Sequence, residues 1–159
     1  MHRKSDEACV HRILHDYKMQ DQEISIEEAN TICKLYKDRI HFFKEFYEQS
    51  HAFFKEQLVY DSQFIQSKLK PEFSSILNKV IGFLENQIDW QAEPIESELK
   101  EFIKNQQIKA GELFPLLRVC MTGIPTGPDV FKMIAFQGKT KLIQKINLFI
   151  KQMPINQSI

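Results

Sequence analysis

The residues able to do chemistry by type and spacing are few, and most fail on closer reading. His11 and His15 lie four apart in "HRILH", a helical spacing that can hold a metal. The intervening glutamate of a zinc-protease motif is missing and no third ligand is nearby, so a surface histidine pair is expected. "QGKT" at 137–140 has the ending of a phosphate-binding P-loop without the glycine four residues earlier; Gly138 reads as a helix break instead. Nothing resembles a nucleophile elbow. Cys9, Cys33 and Cys120 are odd in number and far apart, with no CxxC pair, which argues against a disulfide framework and a cysteine zinc site.

One stretch differs. "RVCMTGIPTGPDV" (118–130) places an arginine on an apolar helix, then two glycines, two prolines and two threonines, before the apolar pattern resumes. Gly123 stands where a helix C-terminus favours a left-handed residue, and Pro128 can open the next helix. A stiff loop with amides and hydroxyls, beside Arg118 and above a helix start, suits an anion or a nucleobase. The alternative at this point is a tight helix connection with Arg118 as an ion-pair partner.

The elements that must position this loop are helical. Apolar residues step by three and four along 5–19, from Ser25 to about residue 56, and along 71–87, 92–106, 110–122, 128–137 and 139–153, with 58–71 a link holding a short helix. Ser25 and Glu28 have capping-box spacing. The 25–56 pattern is long for one helix, so a bend is expected near Gln49–His51. Pro71 suits the first residue of a helix. No segment alternates with period two, so the fold class is all-α, a helical bundle of about seven to eight helices.

Composition is that of an ordinary globular domain: 159 residues, 43% hydrophobic, 26% charged, 13 phenylalanines. No apolar run reaches the roughly 18 residues of a membrane span, and the N-terminus has no secretory core, so a cytoplasmic, soluble chain is expected. Net charge is zero, yet residues 1–98 carry 12 Lys/Arg and 18 Asp/Glu, while residues 99–159 carry 9 and 3. Such asymmetry points to a polyanion at the C-terminal end, although a chance split gives the same counts.

"KAGELFPLLRVCMTGIPTGPDVFKMIAFQGKTKLIQKI" (109–146) resembles the C-terminal segment of bacterial-type glutamyl-tRNA synthetases, class I aminoacyl-tRNA synthetases. The shared pattern is a small-residue helix start, an aromatic and a proline, an arginine, a threonine–glycine, a glycine–proline loop, and a last helix with a basic start. Gln137 departs from it, standing where that family usually has leucine. "ICKLYKDRIHFFKEFYEQSHAFFKE" (32–56) is similar to the family's first anticodon-domain helix, and the resemblance covers roughly residues 25–152. The class I "HIGH" and "KMSKS" signatures are absent.

The resemblance implies an all-helical anticodon-binding region: residues 1–24 unassigned, 25–92 a first sub-bundle, 93–159 a second carrying the reading loop. It implies that Arg118, Gly127, Pro128 and Val130 lie against the anticodon bases, with Thr122 and Thr126 nearby. Arg39 is a further candidate, or else a structural arginine bridging helices. Lys132, Lys139, Lys141 and Lys145 would attract phosphates. The expected partners are glutamate tRNA, through its anticodon loop, and a catalytic domain of the same synthetase, with no membrane and no DNA. No cofactor is expected in this region; ATP belongs to the catalytic domain. The alternative function is a helical protein-interaction module with an apolar groove.

Overall fold

The computed structural model describes residues 6–153. Among these residues there are nine α-helices, one 3-10 turn and no β-strand. The helices are α1 (Asp6–Met19), α2 (Ile26–Tyr36), α3 (Lys44–Ser50), α4 (Ser62–Ser67), α5 (Phe73–Asn86), α6 (Ala92–Asn105), α7 (Ala110–Thr122), α8 (Val130–Gln137) and α9 (Lys139–Gln152). The 3-10 turn, His51–Phe54, follows α3 directly. The all-α expectation holds. Contacts gather into two compact units, one ending at Lys55 and the other beginning at Glu56.

In the first unit α1, α2 and α3 pack on one another. Cys9, Ile13, Ala29, Ile32 and Phe46 form its core. Burying Tyr17 requires a partner for its hydroxyl, and Ser50 supplies one at 2.6 Å. The capping box is present: Ser25 Oγ accepts from the Glu28 amide at 2.9 Å, and Glu28 Oε1 accepts from the Ser25 amide at 2.8 Å.

The expected long helix does not run to the Gln49–His51 bend. It stops at Tyr36 and resumes at Lys44. The Glu45 carboxylate, in the first turn of α3, accepts from the His41 and Phe42 amides at 2.7 and 2.6 Å and so fastens the break to the helix that follows. Ile40 turns inward within the break and is buried, so the three-and-four stepping runs through it unbroken.

In the second unit α7, α8 and α9 pack mutually, with α5 against α9 and α6 against α8. Leu77, Leu84, Leu99, Leu116, Ile146 and Phe149 are among its fully buried side chains. Pro71 lies two residues before α5, in a turn closed by the Phe73 amide donating to the Lys70 carbonyl at 3.0 Å. Gly138, with φ 87° and ψ 148°, separates α8 from α9 in a conformation that glycine alone adopts readily. No described helix is long and apolar enough to cross a membrane.

Candidate nucleic-acid interface

The loop between α7 and α8 is pinned at both ends. At its start, Gly123 takes φ 91° and its amide donates to the Val119 carbonyl at 2.9 Å, closing α7 with a left-handed cap. Its carbonyl accepts from the Asp61 amide at 2.8 Å. A Cβ on Gly123 would stand 2.4 Å from the Val59 carbonyl oxygen, so the chain at 59–61 crosses here backbone on backbone. Glycine is therefore required twice, for its dihedral and for its lack of bulk.

At its end, Arg118 reaches from α7 and donates from Nε (3.2 Å) and Nη2 (2.8 Å) to the Pro128 carbonyl. The planar guanidinium forks onto one oxygen, a bond strengthened by its charge. Asp129 then caps α8: its Oδ1 accepts from the Phe131 and Lys132 amides at 2.8 and 3.1 Å. Four residues, 124–127, are thus held between a glycine cap and an arginine clamp. Ordering such a loop in advance lowers the entropy lost when a ligand binds.

Several side chains named from the sequence are placed differently from expectation. Arg118 is engaged within the protein as the clamp of the loop. Pro128 and Val130, expected to present an apolar face, are both buried, Val130 at 3% exposure. The exposed apolar side chain of the loop is Ile124, at 46%. Thr126 is exposed, Gly127 is half-buried, and the Thr122 hydroxyl is turned back to donate to the Arg118 carbonyl at 3.1 Å. A Cβ on Gly127 would meet Met133 Sδ at 3.4 Å and Arg118 Cδ at 3.5 Å, so local packing does not demand glycine there. Arg39 is exposed in the first unit, in the turn between α2 and α3.

The four lysines divide in two. Lys132 and Lys141 are exposed. Lys139 caps the end of α5, with Nζ donating to the Gln87 carbonyl and, at 3.4 Å, to that of Glu85. Its ammonium also sits 5.6 Å from the centre of the Trp90 ring. Lys145 is 6% exposed. Its Nζ donates to the Met121 carbonyl at 2.7 Å, in the last turn of α7, and to Gln137 Oε1 at 2.8 Å. Burial depresses Lys145 to about 7, with the Lys141 charge adding to the effect and Cys120 opposing it. Lys139 and Lys145 are thus engaged with backbone carbonyls, while Lys132 and Lys141 extend into solvent.

The family model for the anticodon binding domain matches residues 10–150. The chain belongs to the anticodon binding domain family. The match extends into α1, ahead of the segment where the sequence resemblance begins. The domain is 30% identical over 125 residues to the glutamate–tRNA ligase of Amoebophilus asiaticus, covering 79% of this chain and 24% of that protein. It is also 30% identical over 115 residues to the glutamate–tRNA ligase of Chlorobium phaeovibrioides, covering 72% and 22%. A crystal structure of a glutamate tRNA ligase from Elizabethkingia meningosepticum superposes with a TM-score of 0.86 at 25% identity, over 94% of this chain and 30% of that one. The domain thus spans about a quarter of the length of the curated relatives it matches.

One feature of the interface escapes a sequence reading, and a second does not. The crossing of 59–61 over Gly123 joins residues some sixty positions apart with no local signal. Asp129 was accessible, because an aspartate directly before an apolar helical run is a common cap.

Proposed function

We propose that this anticodon-binding domain reads the anticodon loop of glutamate tRNA and positions the tRNA for ATP-dependent aminoacylation by a catalytic domain outside this chain. The observation that carries the reading is the α7–α8 loop, held by Gly123 and by the Arg118 clamp on Pro128, in a chain of this family. Anticodon bases are splayed and read by stacking and by hydrogen bonds to their edges, which requires a surface that does not yield. Ile124 offers an apolar face, Thr126 a hydroxyl, and the half-buried Gly127 a stretch of backbone close to solvent. Lys132 and Lys141 add phosphate attraction that weakens with salt. In this reading the domain works in the cytoplasm, holds no cofactor of its own, and leaves ATP to the catalytic domain.

The test is binding of the chain to a glutamate-tRNA anticodon stem-loop at two salt concentrations, beside a stem-loop with its three anticodon bases changed. Tighter binding to the native loop supports the reading. Equal binding to both, lost in high salt, reduces the domain to a basic surface. No binding to either at low salt favours a helical protein-interaction module instead.

A further inference from the structure

Two of the three cysteines meet inside the first unit. Cys9, on α1, and Cys33, on α2, are both buried, and their thiols lie within hydrogen-bonding reach of each other. Cys33 Sγ is also 3.9 Å from Asp6 Oδ1, and Asp6 stands one turn before Cys9 on the same face of α1, so the sulfur is directed across the helix pair. Ala29, one turn before Cys33 on α2, is small and fully buried as well, which lets the two packed backbones approach. A disulfide needs its Cα atoms within about 7 Å, and thiols in mutual contact between packed helices reach that with little movement. Cys120 is buried apart from them, on α7 in the second unit.

Burial pushes the Cys33 thiol up to about 12, with Cys9 and the Asp6 carboxylate adding to the effect and the Lys37 ammonium opposing it. A protonated, enclosed thiol is a poor nucleophile, so the closed helix pair does not react. Opening of α1 away from α2 removes both the burial and the carboxylate. It leaves Cys33 on α2 with Lys37 one turn further on, a setting that favours the thiolate.

We infer that Cys9 and Cys33 are a redox pair that closes to a disulfide by exchange with a small disulfide such as oxidised glutathione, stapling α1 to α2. In the open pair Cys33 gives its proton to water and its thiolate attacks one glutathione sulfur. The S–S bond of the oxidant breaks, and the other glutathione leaves as a thiolate. When α1 returns, Cys9 loses its proton and attacks the Cys33 sulfur, expelling the second glutathione. Two thiols become one disulfide, and one oxidised glutathione becomes two reduced molecules. The product is enclosed as the thiols were, so the staple forms slowly and is removed slowly. It belongs to the first unit and is independent of the function proposed for the α7–α8 loop.

The test incubates the full chain with oxidised glutathione, with and without urea below the unfolding transition, then alkylates, digests and maps it by mass spectrometry. The expected product is a peptide pair joined through Cys9 and Cys33, with Cys120 alkylated only after denaturation. Its formation should quicken about tenfold in the dilute urea that opens α1, and its reduction by dithiothreitol should quicken likewise. A bond closing a loop of about two dozen residues should also raise the melting temperature of the oxidised chain by several degrees. Cys9→Ala should stop the reaction at a glutathione adduct on Cys33. Thiols that survive both conditions, an adduct on Cys33 that persists in the wild type, or a bond to Cys120 instead would each overturn the pairing. Formation as fast without urea as with it would overturn the opening that gates it.

Discussion

Lys145 gives the sharpest prediction because its charge is at odds with its place. The Lys145 side chain is 6% exposed, and its ammonium donates to the Met121 carbonyl and to Gln137 Oε1. Its folded value of about 7 against 10.5 corresponds to roughly 5 kcal/mol between its protonated and neutral states, at about 1.4 kcal/mol per tenfold change. The folded state binds fewer protons than the unfolded chain between these values, so this residue's contribution to stability rises with pH across that window. Half-titration near neutrality takes part of the effect, leaving a gain on the order of 1–2 kcal/mol between about pH 7 and pH 8.5. Burial pushes Cys33 up to about 12 and raises Cys120 as well, so these thiols act in the opposite sense once pH enters the ordinary thiol range. Urea denaturation followed by circular dichroism, on wild type and Lys145→Met at the two pH values, isolates the lysine. The stability difference between wild type and variant should move by on the order of 1–2 kcal/mol in favour of wild type at the higher pH. A difference independent of pH would refute the reasoning and mean that the two acceptors hold Lys145 charged throughout.

Other substitutions separate loop scaffold from RNA contact. Gly123→Ala should destabilise by about 2 kcal/mol or more in denaturant titration, since it adds a left-handed penalty to a 2.4 Å clash with the Val59 carbonyl. Gly127→Ala meets only ordinary contacts, so its stability should stay within about 0.5 kcal/mol of wild type while stem-loop affinity falls. Arg118→Ala should cost about 1.5–3 kcal/mol of stability by removing a charge-assisted pair of bonds, and proteolysis within 123–129 should quicken. Arg118→Lys should recover only part of that loss, because an ammonium cannot fork. Lys132→Ala and Lys141→Ala should each flatten the salt dependence of RNA binding by about 0.7 in log–log slope. Lys139→Ala should leave that slope alone and lower the melting temperature, since its ammonium caps α5.

The helices were legible because their apolar residues recur at the helical period over long segments, and Gly123 and Gly138 announced their breaks by residue type. The break at 37–43 was hidden because Ile40 stays buried and keeps the period going while the backbone leaves the helix. The loop was legible as a stiff, polar interruption, but the orientation of its side chains was not. Val130 and Pro128 face inward because α8 must bury its first turn, and that follows from the packing of α6, α7 and α9 against α8 rather than from any pattern within the loop. The same holds for the lysines: four similar residues along 132–145 split between solvent and helix ends according to which carbonyls lie within reach.

Gln137 and Lys145 are best understood together. Leucine at 137, the residue expected there from the resemblance, would fill the space with hydrocarbon and remove the Oε1 acceptor, leaving an interior ammonium with one fewer oxygen. The glutamine stands at the end of α8, the lysine in the middle of α9, and the carbonyl that also accepts from the ammonium belongs to the last turn of α7. One Nζ therefore joins α9 to the two helices, α7 and α8, that the loop connects. The departure in sequence and the buried charge form one arrangement, so Gln137→Leu should be tolerated far better in a Lys145→Met background than alone. Additive losses in that double-mutant cycle would show that the two residues act separately.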